Sequence, residues 1–246
     1  DPWLQPVADK IEMRNNRYCL SKENILHHYG SLYDFAGWHR ELGFHYDKEL
    51  KGWYFRDWLP RALQVYLTGS FTDWEPCRYP LSRRDNGVWE VFLPIEDMHG
   101  EEVMLYVKGR DGYSMHLPAY VEYATQDAET NSFVGRVWAP AKPFDWQDDK
   151  GIAISNMPLL IYECHIGMAQ EKEGVGTYKQ FEENIIPYIK DLGYNVLQIM
   201  AIAEHPYYGS YGYQVSNFFA PSSRFGTPDA LKHLIRTAHA NGIAVV

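Results

Sequence analysis

The sequence is short of positive charge. Its 23 Lys and Arg stand against 32 Asp and Glu, a net charge of −9 over 246 residues. Phosphate backbones and anionic lipid surfaces are bound through basic faces, so nucleic acid and membrane are excluded as principal partners. Cysteine is scarce as well: Cys19, Cys77 and Cys164 are odd in number and far apart, matching neither a disulfide framework nor a zinc-ligand spacing. They read as reduced thiols. No run of 18 apolar residues is present, and the N-terminus "DPWLQPVADK" has no basic start followed by an apolar stretch, so neither a membrane span nor a secretion signal is expected. With the thiols, this reads as a cytoplasmic protein. Phosphate-binding loops are missing too: "HIGMAQEKEGVG" fits neither G-x-G-x-x-G nor GK[ST], and HExxH, CxxC and G-x-S-x-G do not occur. No cofactor and no metal are expected.

Aromatic residues, by contrast, are abundant at 15%, with 8 Trp and 19 Tyr. They serve either a large core or a surface that stacks flat rings. Their placement follows from the periodicity. Residues 1–42 show neither alternation nor hairpin turns, and read as a short N-terminal helical segment in which Ser21 starts a second helix that Gly30 ends. From residue 43 the pattern changes. "ALQVYLTG" (62–69) puts Leu63, Val65 and Leu67 on one face; "VWEVFLP" (88–94) groups Trp89, Val91 and Leu93; "EVMLYVKG" (102–109) groups Val103, Leu105 and Val107. Turn-rich pieces separate them, so residues 43–140 read as an antiparallel β-sandwich.

Residues 141–157 carry Pro, Gly and charge, and read as a linker. Beyond it the runs become continuous and apolar: "LLIYECHI" (159–166), "NVLQIMAI" (195–202) and "IAVV" (243–246). Two amphipathic segments alternate with them. One spans 177–193, with Thr177 as cap, Phe181, Ile185, Ile189 and Leu192 on one face, Pro187 as a kink and Gly193 as stop; the other spans 227–242, with Thr227 as cap and Pro228 at its first position. Strand–helix alternation with buried strands is a parallel α/β pattern, and residues 158–246 read as the opening units of either a doubly wound sheet or a (β/α)8 barrel.

Glu163 and His165 sit two apart on the first of these strands, which places them on one face as a structural pair or a catalytic one. The segment "AEHPYYGSYGYQVSNFFAPSSRFGTPDALKHLI" (203–235) opens with a long stretch dense in Tyr, Gly and Phe, at the C-terminal end of the second strand. In a barrel this is the end that carries active sites. It suggests an aromatic-walled cleft for a polar, ring-shaped ligand.

"YECHIG", "LGYNVLQIMAIAEHPYYGSYGYQVSNFFAPSSRFGTP" and "AHANGIAVV" resemble the start of the catalytic barrel of the 1,4-α-glucan branching enzymes of glycoside hydrolase family 13. "WLPRALQVYLTGSFTDWEP" resembles the family 48 carbohydrate-binding module that precedes that barrel, and "DPWLQPVADKIEMR" the N-terminal helix of the eukaryotic-type subgroup. The resemblance runs along nearly the whole chain. It implies glycogen biosynthesis, with transfer of α-1,4-glucan segments to 6-hydroxyls through a retaining, two-carboxylate mechanism. It implies α-1,4-glucans, namely glycogen and malto-oligosaccharides, as partners. Substrate binding would fall to Tyr213, stacking on the sugar at the cleavage site, and to Gln214 beside it. In the sandwich it would fall to Trp74, with Pro76 and Trp89 flanking, though Trp89 shares phase with Val91 and Leu93 and fits a core equally well. Arg224, Glu204 and His205 are expected to scaffold the loop. Where related modules carry Lys after "HG", this sequence has Glu101 and Glu102.

In that family the third strand leads into a D-x-V-x-x-H motif, and the nucleophile Asp, the acid/base Glu and a further Asp follow on the fourth, fifth and seventh strands. The sequence ends at Val246, ahead of all of these. The expectation is therefore an N-terminal fragment with no catalytic residue of its own, which binds α-glucan without turning it over. Two other readings compete: a non-catalytic glucan-binding protein, and part of an isoamylase-type debranching enzyme.

Overall fold

The computed structural model describes residues 1–155, 157–200 and 202–246. The chain divides into two compact units, Asp1–Leu42 and Gly43–Val246.

The first unit is helical. A 3-10 turn at Pro2–Val7, capped by Asp1 accepting from the Trp3 amide at 3.0 Å, leads into helix α1, Ala8–Tyr29. Gly30 ends α1 with φ 77° while its amide donates to the Leu26 carbonyl, a conformation that favours glycine. Ser21 does not start a helix; it lies inside α1. A cap needs extended backbone before it, and the helix-forming residues on both sides keep that backbone coiled. A second helix, α2, runs Leu32–Ala36 and is capped by Ser31 instead. Rings of Tyr29, Phe35 and Trp38 cluster at centroid distances of 5.2–6.1 Å.

The second unit opens with the β-sandwich. One antiparallel sheet has the order β1 (Gly43–Asp47), β2 (Gly52–Trp58), β6 (Val88–Leu93), β5 (Ser82–Arg83). The other has β4 (Tyr79–Pro80), β3 (Gln64–Gly69), β7 (Glu102–Gly109), β10 (Phe133–Arg136) and β9 (Ala124–Gln126), with β8 (Gly112–His116) also paired to β7. Phe55, Trp89 and Leu93 from the first sheet meet Val65, Leu67, Val103, Leu105 and Val107 from the second in one core. The alternation expected of 88–94 and 102–109 thus points the named residues inward. Leu63 is the exception, 57% exposed, because it precedes β3 in the turn after Pro60.

Asp57 is buried in the sandwich and accepts from the amides of Trp58 at 2.7 Å and Ala119 at 2.9 Å. Burial raises its pKa, and the two amide hydrogen bonds offset part of the rise.

Residues 141–157 form neither helix nor strand where described. The parallel layer follows: β11 (Ile161–Cys164), β12 (Val196–Ile199) and β15 (Ala244–Val245) in the order β11-β12-β15, with Ile161 opposite Val196 and Val196 opposite Ala244. Helices α3 (Tyr178–Asp191) and α4 (Pro228–Ala240) share a second core with this layer, which includes Phe181, Ile186, Ile189, Leu197 and Leu234. α3 begins at a capping box in which Thr177 and Gln180 exchange hydrogen bonds, and it runs unbroken through Pro187. Leu192, expected on the buried face, is exposed at the C-cap; Ile186 takes its place. Gly193 turns the chain away at φ 81°.

The sandwich and the parallel layer are joined by side chains. Asn217 donates to the carbonyls of Pro118 at 3.1 Å and Ala119 at 3.2 Å, Ala220 packs into the sandwich core, and Tyr120 stacks on Phe219 at 4.4 Å. Trp138 donates to Asp229 on α4 at 3.1 Å.

Candidate functional site

The aromatic stretch after β12 is a built structure. β13 (Ala203–Glu204) pairs antiparallel with β14 (Asn217–Pro221) and holds the base of the loop between them. Beneath lies Glu204, fully buried. Its carboxylate accepts from the amides of His205 at 3.0 Å and Ser223 at 2.7 Å and from the Ser222 hydroxyl at 3.2 Å, with Arg224 at 3.6 Å. A buried charge needs this degree of satisfaction. Arg224 also donates to the carbonyls of His205 and Pro206 and to Gln126 of β9, and so ties the loop to the sandwich. Arg224 and Glu204 sit in the frame of the loop.

On that frame three of the loop's four tyrosines are exposed, while Tyr208 turns in toward His165. Tyr211 and Gly212 both take positive φ, 53° and 83°, and this reversal presents Tyr213 at 73% exposure, with Gln214 exposed beside it. Tyr207 and Tyr211 are exposed as well.

Two histidines lie below. His165 accepts the Gly167 amide on Nδ1 at 3.1 Å, which fixes the neutral form with the proton on Nε2; burial lowers its pKa. His205 is buried with Nδ1 against the Ala203 carbonyl. Rings of Tyr208, Tyr211 and Phe225 surround His165 at 5.4–6.1 Å. Glu163 does not join it. That carboxylate accepts from Gln198 of β12 at 2.9 Å, so the expected pairing of Glu163 with His165 is not formed.

In the sandwich, β3 ends in a tight turn. Thr72 closes it with hydrogen bonds to Gly69, and Asp73 and Trp74 follow at φ 53° and 61°. The left-handed pair leaves Trp74 43% exposed, next to exposed Pro76. Trp89 is different. It is 5% exposed, its indole donates to the Leu59 carbonyl at 3.0 Å, and the Arg83 guanidinium lies over its ring. The structure corrects its expected place beside a ligand: Trp89 is core. Glu101 and Glu102 are also engaged within the protein, Glu101 by the Ser70 hydroxyl and Glu102 by Arg136 at 2.6 Å.

One cluster escaped the sequence reading. On the outer face of the second sheet, Tyr106 of β7 stacks on Tyr113 of β8 at 4.7 Å with planes 10° apart, and Tyr66 of β3 lies 6.4 Å from Tyr106. Lys108 sits over Tyr113, whose hydroxyl donates to Gln64 at 2.7 Å. The signal was available: the alternation that turns Val65 and Val107 inward turns Tyr66 and Tyr106 outward. The two-residue turn Arg110–Asp111 brings β8 alongside β7, with Gly109 opposite Gly112.

Among the described residues no group of three or more His, Cys, Asp or Glu is arranged to hold a metal ion, and no helix is long and apolar enough to cross a membrane.

Comparison with known proteins agrees with this arrangement. Residues 41–123 match the family model of carbohydrate-binding module 48, the isoamylase N-terminal domain, and residues 168–246 match that of the alpha amylase catalytic domain. In fold, the chain is similar to the catalytic module of the glycogen-degrading pneumococcal virulence factor SpuA. The TM-score is 0.66 at 19% identity, covering 83% of this chain and 36% of that one. The Group B Streptococcus pullulanase SAP is similar at TM-score 0.66 and 18% identity, covering 83% of this chain and 32% of that one. Most of the sandwich and most of the parallel layer thus fall, in order, in the parts of the chain that match module 48 and the alpha amylase catalytic domain. The chain is similar over its whole length to curated proteins named 1,4-alpha-glucan-branching enzyme. Identity is 38% to that of Dictyostelium discoideum, of which it covers 37%, 38% to that of Yarrowia lipolytica (36% covered) and 35% to that of Felis catus (36% covered). The chain thus spans little more than a third of the length of these relatives.

Proposed function

We propose that the chain serves 1,4-α-glucan branching, supplying α-glucan binding and the first strands of the barrel on which the transfer takes place. The observation that carries this reading is the similarity, along all 246 residues, to proteins bearing that name. The exposed aromatics supply its chemistry. Tyr213 stacks on the apolar face of a glucose ring where the glucan is cut, and Gln214 bonds its hydroxyls. Trp74, with Pro76 at its edge, and the Tyr106–Tyr113 pair hold malto-oligosaccharide or glycogen on the sandwich. In the retaining mechanism a carboxylate attacks the anomeric carbon while a second carboxylic acid gives its proton to the leaving glycosidic oxygen; a 6-hydroxyl of glucan then displaces the first carboxylate and returns its proton to the second. We assign neither carboxylate to a residue of this chain. The place of action is the cytoplasm and the process glycogen synthesis.

Calorimetry with maltoheptaose tests the binding. A weak, salt-insensitive association of roughly 4–6 kcal/mol is expected, as suits a shallow site for a neutral ligand. Trp74→Ala together with Tyr113→Ala should weaken it by removing the share held on the sandwich. Binding unchanged in that variant would overturn the sandwich assignment. Amylose incubated with the purified chain should keep its iodine stain; a steady loss would show that the chain does hold the reacting groups.

A further inference from the structure

A groove of about 440 Å³ lies where residues 146–152 cross the last turns of α4. That volume falls within the roughly 300–1,000 Å³ of small-molecule sites. One wall is the indole of Trp146, 39% exposed. The indole is held in place. Its edge meets Phe144 at 4.9 Å and 73°, and Phe144 is covered in turn by the Arg236 guanidinium at 5.2 Å. The segment is pinned at both ends by α4: Arg236 donates to the Asp145 carbonyl at 2.6 Å, and His239 contacts the Asp149 carboxylate at 2.8 Å. Between the pins, the Gln147 amide donates to Asp145 at 2.8 Å with Gln147 at φ 54°, so the backbone of this stretch is fixed before any ligand arrives. The exposed side chains of Gln147, Asp148 and Lys150 line the same groove.

A rigid aromatic wall excludes water from one apolar ring face, and an amide, a carboxylate and an ammonium around it offer both donors and acceptors. An anion is disfavoured: Arg236 is engaged twice, and the two carboxylates Asp148 and Asp149 face the single ammonium of Lys150. The composition therefore suits a neutral ring bearing hydroxyls. We propose that this groove is a further carbohydrate site, in which one glucose ring of an α-glucan stacks on Trp146 while Gln147 and Asp148 bond its hydroxyls. The proposal rests on the glucan-binding function proposed above. It adds a contact point outside both the sandwich and the tyrosine loop, so that one long glucan can engage the protein at more than one place.

Nuclear magnetic resonance of the tryptophan indole N–H groups in the whole chain, titrated with maltoheptaose, separates the outcomes. Trp146→Phe identifies the resonance. The Trp146 signal should move to saturation, and Gln147→Ala and Asp148→Ala, which leave the indole and its packing in place, should each weaken that response about tenfold, as loss of one hydrogen bond does. A Trp146 signal that stays fixed while that of Trp74 moves overturns the groove and leaves the glucan-binding function standing. If neither moves, both fall. A Trp146 signal that moves equally in all variants would show that the polar groups are not part of the site, and would overturn the assignment to a recognised ring.

Discussion

At the scale of single residues, two carboxylates show how burial and hydrogen bonding pull in opposite directions. Asp57 has its pKa raised by burial, so the folded state holds its proton more tightly than the unfolded chain does. Its contribution to stability is complete below the unfolded value of about 3.9 and is lost as pH rises through the higher folded value. Urea midpoints measured from pH 3 upward should therefore show a fall that Asp57→Asn removes. Asp149 behaves oppositely. The Gly151 amide and then His239 hold its pKa down, so its contribution is present above the unfolded value and disappears as pH falls through the folded one. His239→Ala should narrow that acid limb in the same titration. Thiols sort by the same physics. Cys19 and Cys77 are exposed, whereas burial pushes Cys164 up to about 12. Iodoacetamide at pH 8 should alkylate the first two in the folded protein and leave Cys164 unmodified; labelling of all three by mass spectrometry would contradict its placement.

At the scale of elements, what was legible in the sequence was what depends on neighbours in the chain. The caps at Thr177 and Thr227, the stops at Gly30 and Gly193, and the inward phase of β6 and β7 are local, and each stands as expected. Thr177→Ala removes the hydroxyl that accepts the Gln180 amide, leaving the Thr177 amide on the Gln180 side chain, and should cost about 0.5–2 kcal/mol by denaturant titration, with little change in the slope. What was not legible depends on partners distant in sequence. Trp89 has the same periodicity whether it lines a core or a ligand; only the carbonyl of Leu59 and the guanidinium of Arg83 decide. The Tyr106–Tyr113 stack required β8 to be seen as a strand, and "GYSMH" is fully exposed, without the buried alternation that marks one. For the candidate site, the exposed positions of Tyr213, Gln214 and Trp74 follow from turn chemistry in the sequence, and Glu204 and Arg224 are expected in the frame, whereas their partners Ser222, Ser223 and Gln126 lie 18 to 98 residues away and are fixed only by the fold.

At the scale of the whole molecule, the sandwich reads in the sequence as a module able to hold its own core. The structure makes residues 43–246 one compact unit, with Ala220 inside the sandwich core and Asn217 bonded to the Pro118 and Ala119 carbonyls. Near-ultraviolet circular dichroism, which reports the sandwich tryptophans, and far-ultraviolet circular dichroism, which reports α3 and α4, should give coincident melting curves for this unit. Asn217→Ala leaves the 118–119 carbonyls without their donor and should lower both transitions together; a split into two would mean that the junction does not couple the layers.

The clasp at Asn217 also has a meaning in time. Its partner Pro118 lies 99 residues earlier, and a ribosome adding about 5–20 residues per second needs roughly 5–20 s to cover that distance. From the point in this interval at which Arg136 is out, every strand of the sandwich has emerged while Ala220, a member of its core, has not. The nascent sandwich therefore waits with a gap at one end, exposed to chaperones. Slowing translation between residues 120 and 220 would prolong that exposure without altering a single amino acid.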